Sequence, residues 1–159
     1  MSQICFIITD MEHKVYYACN NADSIFKQPT KNIQSSSWFN HLSPQTDLAK
    51  SFVLHDLKQQ GFFNGYITFS DDPQMYFCDY GKRYDVNGNQ IGFDMVLTTA
   101  NQETADYFNN FYQGIEQRVK QDPSTSVESV YQLEKESIEK NVGTDFSEFL
   151  LAILEEHED

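Results

Sequence analysis

A chain of 159 residues is enough for one domain of about 100–150 residues plus an appendage, and its thirteen Phe and nine Tyr supply ample core material. The net charge of −13 is unevenly placed: residues 1–99 carry ten acids and seven bases, residues 100–159 fourteen acids and four bases. That balance argues against nucleic-acid binding, which needs a positive stripe to meet phosphates, and against binding to anionic membranes.

Residues 3–9 read as a compact apolar strand closed by Asp10-Met11-Glu12-His13. Residues 14–19 read as a second strand, so the first pair forms a hairpin across a polar loop. Asn20 to Ser24 offer cap chemistry for a short helix that ends before Pro29. Residues 30–43 are irregular and polar apart from Trp38-Phe39. Ser43 before Pro44 suggests a helix start, Leu48, Phe52, Val53 and Leu57 keep helical spacing, and Gly61 is a natural stop.

Strands follow at 62–69, 74–84 and 90–98, the first two joined by a turn at 70–73. Asn87-Gly88 reads as a type I′ hairpin turn with two positive-φ positions, and Gly92 marks a bulge or a close backbone approach. Five antiparallel strands, with helices inserted between the second and third, make an α+β domain.

The remainder reads as helical. Ala105, Phe108, Phe111, Tyr112, Ile115 and Val119 form an apolar stripe over 102–121, broken by Asp122-Pro123. Thr125-x-x-Glu128 reads as a capping box that opens a second helix to about Lys140. After Gly143, Asp145-x-x-Glu148 begins a third helix, with Phe146, Phe149, Leu150, Ile153 and Leu154 on one face. That face must be buried against the domain, a second copy or a separate signalling protein.

The order of elements and motifs resembles a PAS sensory domain, closest to the aerotaxis-receptor type. The resemblance rests on Thr9-Asp10-Met11, Ala18-Cys19-Asn20, Leu57-Lys58-Gln59-Gln60-Gly61 leading to Asn64-Gly65, and Asn87-Gly88 through Gly92-Phe93. It covers roughly residues 3–100, giving a PAS-like sensory domain at 1–100 and an acidic helical extension at 101–159. The resemblance implies a five-stranded antiparallel sheet cupping a small molecule, FAD in aerotaxis-type members. It also implies a redox-dependent relay to a C-terminal region, and dimerisation through flanking helices. Under the resemblance, Phe63 stands for a Trp usual just before the family's third strand, and Tyr76 for an aromatic of its fourth strand.

Trp38 either stacks on a flat ligand ring or closes the core without one. Asn20, Asn64 and Tyr76 either orient a heterocycle or, for Asn20, cap the following helix. The expected ligand-contacting set is therefore Asn20, Trp38, Phe63, Asn64 and Tyr76. His55 neighbours Asp56 and reads as a surface or partly packed residue, and no pair among His13, His41 and His157 has metal-ligand spacing. Cys5, Cys19 and Cys78 read as small buried hydrophobes or idle thiols, and none sits in a photoreactive motif on a helix.

No Gly-x-Ser-x-Gly, phosphate loop or Cys/His pair supports catalysis, and Asp71-Asp72 read as solvated turn residues. No apolar run approaches the ~20 residues of a membrane span, and the start lacks a signal peptide's basic region. The expectation is a cytoplasmic PAS sensor that binds a planar ligand, FAD first, and relays its state through strand 90–98 to helix 102–121. The alternative is a ligand-free PAS module for dimerisation or protein interaction.

Overall fold

Along the first strand, Cys5, Ile7 and Thr9 are buried, while the alternating Ile4 and Phe6 are exposed and Ile8 is half-buried. This period-two pattern sets a sheet with one face on a core. The computed structural model describes residues 4–70 and 72–156. Its strands are β1 (Ile4–Thr9), β2 (Val15–Ala18), β3 (Phe62–Thr68), β4 (Met75–Tyr84) and β5 (Gln90–Thr99). All pairings are antiparallel, in the order β2-β1-β5-β4-β3. Between β2 and β3 lie α1 (Ala22–Phe26), α2 (Thr30–Ile33), two 3-10 turns (Trp38–His41 and Pro44–Thr46) and α3 (Ala49–Gln60). After β5 come α4 (Gln102–Gln121), α5 (Val127–Val142) and α6 (Phe146–Glu156).

The expected α+β architecture is present: a five-stranded antiparallel sheet of PAS type with helices on one face and three C-terminal helices. The inner face carries Phe63 and Ile67 of β3, Tyr76, Cys78 and Tyr80 of β4, and Phe93, Met95 and Leu97 of β5. All lie in one core with α1, α3 and residues of α4 and α5. A second core lies on the opposite face, where Tyr66, Met75 and Phe77 meet Ala105, Phe108, Phe146 and Leu150. The α6 face is therefore buried by folding back on the sheet.

That return explains an irregularity of β3. As an edge strand it should be half exposed, yet it is buried from Phe63 to Thr68. The Tyr112 hydroxyl donates to the Tyr66 carbonyl at 2.7 Å, and the Tyr66 hydroxyl donates to the Leu150 carbonyl at 2.9 Å. The C-terminal helices thus cover an edge that would otherwise invite pairing with another chain.

Four local expectations change. The turn after β4 is not type I′, because Gly88 has positive φ and Asn87 does not. The Asp85 carboxylate accepts from the N–H groups of Asn87 and Asn89, and Gly88 N–H donates to the Asp85 carbonyl, so an Asx-stabilised turn with one left-handed residue wins. Pro44 opens a 3-10 turn, and α3 begins only at Ala49. The Ser43 and Thr46 hydroxyls bond to Thr68 and hold that turn against β3. Asn21, not Asn20, precedes α1, and it makes no side-chain cap bond. The cap of α5 is Ser126, which accepts from Ser129 N–H, while the Thr125 hydroxyl donates to Asp122. Gly61 does stop α3 in the left-handed conformation, and Asp145 accepts from Glu148 N–H at the start of α6.

Candidate functional site

The concave inner face of the sheet and the segment from α1 to α3 enclose the candidate site. At one end, His13 sits in the β1–β2 loop with φ of 67° and stacks on Phe93 at 4.7 Å. Its Nδ1 lies 2.7 Å from the Tyr80 hydroxyl, which also meets the Thr9 hydroxyl at 2.9 Å. Burial pushes the Tyr80 phenol well above its usual range. Burial also lowers the His13 pKa, against a raising effect of Asp10. Both groups are therefore neutral near pH 7, and Tyr80 can donate to His13 Nδ1 while the Thr9 hydroxyl faces the phenol oxygen.

Gly92 permits this arrangement. A Cβ there would lie 2.0 Å from the Thr9 carbonyl oxygen. Arg83 pairs with Gly92 and Tyr84 with Gln90, so Ile91 is an extra residue on β5. Both expectations for Gly92, bulge and close approach, hold. Gly65 plays a similar part on β3, where a Cβ would lie 2.4 Å from the Phe63 ring.

Trp38 is fully buried, tilted against Phe39 at 4.4 Å and edge-on to Tyr80 at 5.1 Å. Phe26 closes the other end against Phe69 at 4.4 Å and edge-on to His41. Phe26, Ile25, Trp38, Phe52, Phe63 and Tyr80 are each no more than 1% exposed, so the cup is filled by its own side chains.

Of the expected ligand-contacting residues, Trp38, Phe63 and Tyr76 come together on this inner side. Burial and Asp72 raise the Tyr76 phenol to about 12. Asn20 lies exposed in the turn before α1. Asn64 is buried on the opposite face, because β3 alternation puts it beside Tyr66 rather than Phe63. With its amide oriented to satisfy its neighbours, it donates to Asp79 and accepts from the Ser147 hydroxyl at 3.3 Å. His13 and Tyr80 were not among the expected residues. A loop histidine carries no periodicity signal, and Tyr80 is one aromatic in an aromatic-rich strand.

The cysteines also depart from expectation. Cys5 and Cys19 form a disulfide with Cα atoms 5.9 Å apart, and Cys78 alone is a free, buried thiol. Their spacing does not reveal that hairpin pairing sets the start of β1 beside the end of β2. Burial, then Asp79, raise the Cys78 thiol well above its usual range, as suits a packed hydrophobe.

The inner core extends into the C-terminal helices through α3. Phe52 stacks on Tyr131 at 4.0 Å and on Tyr112 at 5.5 Å. Beside it Asp56, 1% exposed, accepts from the Tyr131 hydroxyl at 2.7 Å and from Lys135 Nζ at 2.9 Å. His55 is partly packed, as expected, and its Nε2 lies 2.9 Å from Gln132 Oε1. Among the described residues no group of His, Cys, Asp and Glu could hold a metal ion, and no helix is long and apolar enough to cross a membrane. His157 and Asp71 lie outside the described residues.

No known protein-family profile and no curated protein sequence matches the chain. Solved structures do match in fold. A light-oxygen-voltage domain described with a flavin analogue aligns with a TM-score of 0.57 at 13% identity, over 70% of this chain and 88% of its own. The light-state structure of the blue-light photoreceptor Aureochrome1 LOV aligns at 0.55 and 15%, over 68% and 90%. Its dark-state structure aligns at 0.55 and 16%, over 70% and 85%. At these identities the likeness establishes the PAS/LOV fold alone.

Proposed function

We propose that this chain is a non-catalytic PAS-type sensor and relay module, in which a change inside the cup is passed through α3 and β5 to the C-terminal helices. One observation carries the reading: Asp56 on α3 is bound from the same side by Tyr131 and Lys135 of α5, with Phe52 stacked on Tyr131 one turn away. A buried carboxylate held by two partners strongly resists separation from them. Any displacement of α3 by an event in the cup must therefore move α5 or break that contact. A second route runs along β5, since Asn101 caps α4 two residues after the strand ends.

Flavin is the ligand class suggested by the light-oxygen-voltage relatives in fold. FAD does not fit the packed arrangement described above: the cup is filled by Trp38, Phe26 and Tyr80, and Asn64 faces the C-terminal helices. The geometry thus favours a ligand-free relay, with a flat ligand admitted only if the segment carrying Trp38 and Phe39 swings away. An absorption spectrum and native mass of the purified protein, before and after incubation with FAD, decide between the two. Colourless protein that takes up no FAD supports the ligand-free form. Bound flavin that quenches Trp38 fluorescence would replace it with the flavin sensor.

A further inference from the structure

The Cys5–Cys19 pair occupies a position from which it can control the cup. Cys5 is fully buried on the inner face of β1, where it pairs in register with Leu97 of β5, which in turn pairs with Cys78 of β4. Cys19 follows β2 and is partly exposed. Its backbone N–H donates to the Phe6 carbonyl, and its own carbonyl accepts from Ala22 N–H at the start of α1. The bond therefore ties the inner face of the sheet to the entry of α1, the short helix that carries Ile25 and Phe26 into the cup.

Noncovalent contacts share that corner with the bond: Phe26 packs on Phe69 and His41, and Lys27 pairs with Asp72 at 3.4 Å. Asn21 donates through its side chain to the Ile4 carbonyl at 3.0 Å, and the Ser70 hydroxyl donates to the Phe26 carbonyl at 2.6 Å. The helix has five residues and no side-chain N-cap, so it has almost no stability of its own. Its docking depends on Ala22, Ile25 and Phe26 and on the covalent tie beside them. The Cys19 sulfur also lies against the Asn21 amide oxygen, so a reduced Cys19 has a hydrogen-bond acceptor waiting.

We propose that Cys5 and Cys19 are a reversible thiol/disulfide switch that locks α1 over the cup when oxidised and frees it when reduced. The unequal exposure of the two sulfurs orders the chemistry. With a low-molecular-weight disulfide such as oxidised glutathione, the reachable Cys19 thiolate attacks one sulfur, and one glutathione thiolate leaves. The mixed disulfide on Cys19 is then attacked by the Cys5 thiolate, and the second glutathione leaves. The two protons given up by the protein thiols go to the two departing thiolates. The protein is oxidised by two electrons, and one glutathione disulfide becomes two glutathione thiols. Cys78, buried in the sheet with a raised pKa, does not compete for either step.

The switch concerns regulation of the cup and rests on the relay reading only for its downstream meaning, because thiol chemistry and α1 mobility are read without reference to α4–α6. The full chain is poised in reduced and oxidised glutathione without denaturant, quenched, unfolded and labelled with a maleimide. Expected are three labelled thiols at the reducing end, one at the oxidising end, and full reversal between them. Hydrogen exchange of amides 22–26 should slow by about tenfold or more on oxidation. Cys78→Ala should keep both responses. Cys5→Ser and Cys19→Ser should each hold α1 at the reduced rate at every poise, and if one fails to fold the other carries the test. Three labelled thiols throughout would overturn the proposal, as would a bond that reduces only after unfolding. Unchanged exchange at 22–26 on complete oxidation would also overturn it, even if the link from α3 to α5 is upheld by its own variants.

Discussion

Gly92 shows how one missing side chain shapes the cup. With a Cβ placed 2.0 Å from the Thr9 carbonyl oxygen, Gly92→Ala must push β5 away from β1. The cost should be about 1–3 kcal/mol, measured as a shift in the urea midpoint with unchanged slope. The stacked His13–Phe93 pair should loosen as well, since Phe93 is the next residue. His13 yields a separate prediction. Burial lowers the pKa of His13 and of His41 below the ordinary 6.5, with Asp10 opposing the shift at His13. The unfolded chain then binds protons more readily than the folded one below that value, so stability is fully present above about pH 6.5 and falls as pH drops through the folded pKa. Urea midpoints recorded from about pH 7.5 downward should decline, and His13→Gln should flatten the slope. An unchanged slope in that variant would remove His13 from the account. The same two residues mark what single positions disclose. A glycine within a strand signals its role because few other reasons place it there. His13 acquires its role from Tyr80, 67 residues away in sequence, through a fold the loop itself does not encode.

At the scale of elements, the strands and helices were legible because their periodicity is strong, and their ends were not because capping groups compete. Ser126 rather than Thr125 caps α5, since Asp122 captures the Thr125 hydroxyl. Contacts between elements were the least legible. The Asp56–Lys135 pair joins residues 79 apart, and Asp56 reads in sequence as an ordinary helix acid. Its consequences are large because both groups are buried, 1% and 6% exposed. Lys135→Ala leaves a buried carboxylate with only the Tyr131 hydroxyl and should cost about 3–5 kcal/mol. The triple variant Asp56→Leu, Tyr131→Phe, Lys135→Met removes charge and polar partners together and should recover most of that loss. Chemical denaturation compares the two, and hydrogen exchange across residues 127–142 reads whether α5 stays docked. If the triple variant is as unstable as the single one, burial of the charge is not what makes the contact strong.

The whole molecule is defined by how the acidic extension clasps the sheet. Composition divides the chain near residue 100, yet Tyr112, Ile115, Val130 and Tyr131 belong to the same core as Phe52 and Val53 of α3. Apart from the buried Lys135, the charged residues of these helices are exposed or half-buried, and the apolar faces cover the β3 edge and part of the outer sheet surface. The uncovered part of that surface already exposes Ile4, Phe6 and Tyr17. A chain ending at Asp122 would lose Phe146 and Leu150 from Tyr66 and Phe77, and Tyr131 and Lys135 from Phe52 and Asp56. Newly bared apolar surface would then share a sheet face with Ile4 and Phe6, giving a patch larger than soluble monomers tolerate. Such a chain should self-associate or precipitate, whereas Phe146→Ala, costing about 3–5 kcal/mol, should weaken α6 docking within an otherwise folded protein. Light scattering on the two, beside the full chain, gives the outcome. A stable monomer ending at Asp122 would show that the cup holds its shape without the clasp, and α4 alone would then have to carry the signal outward.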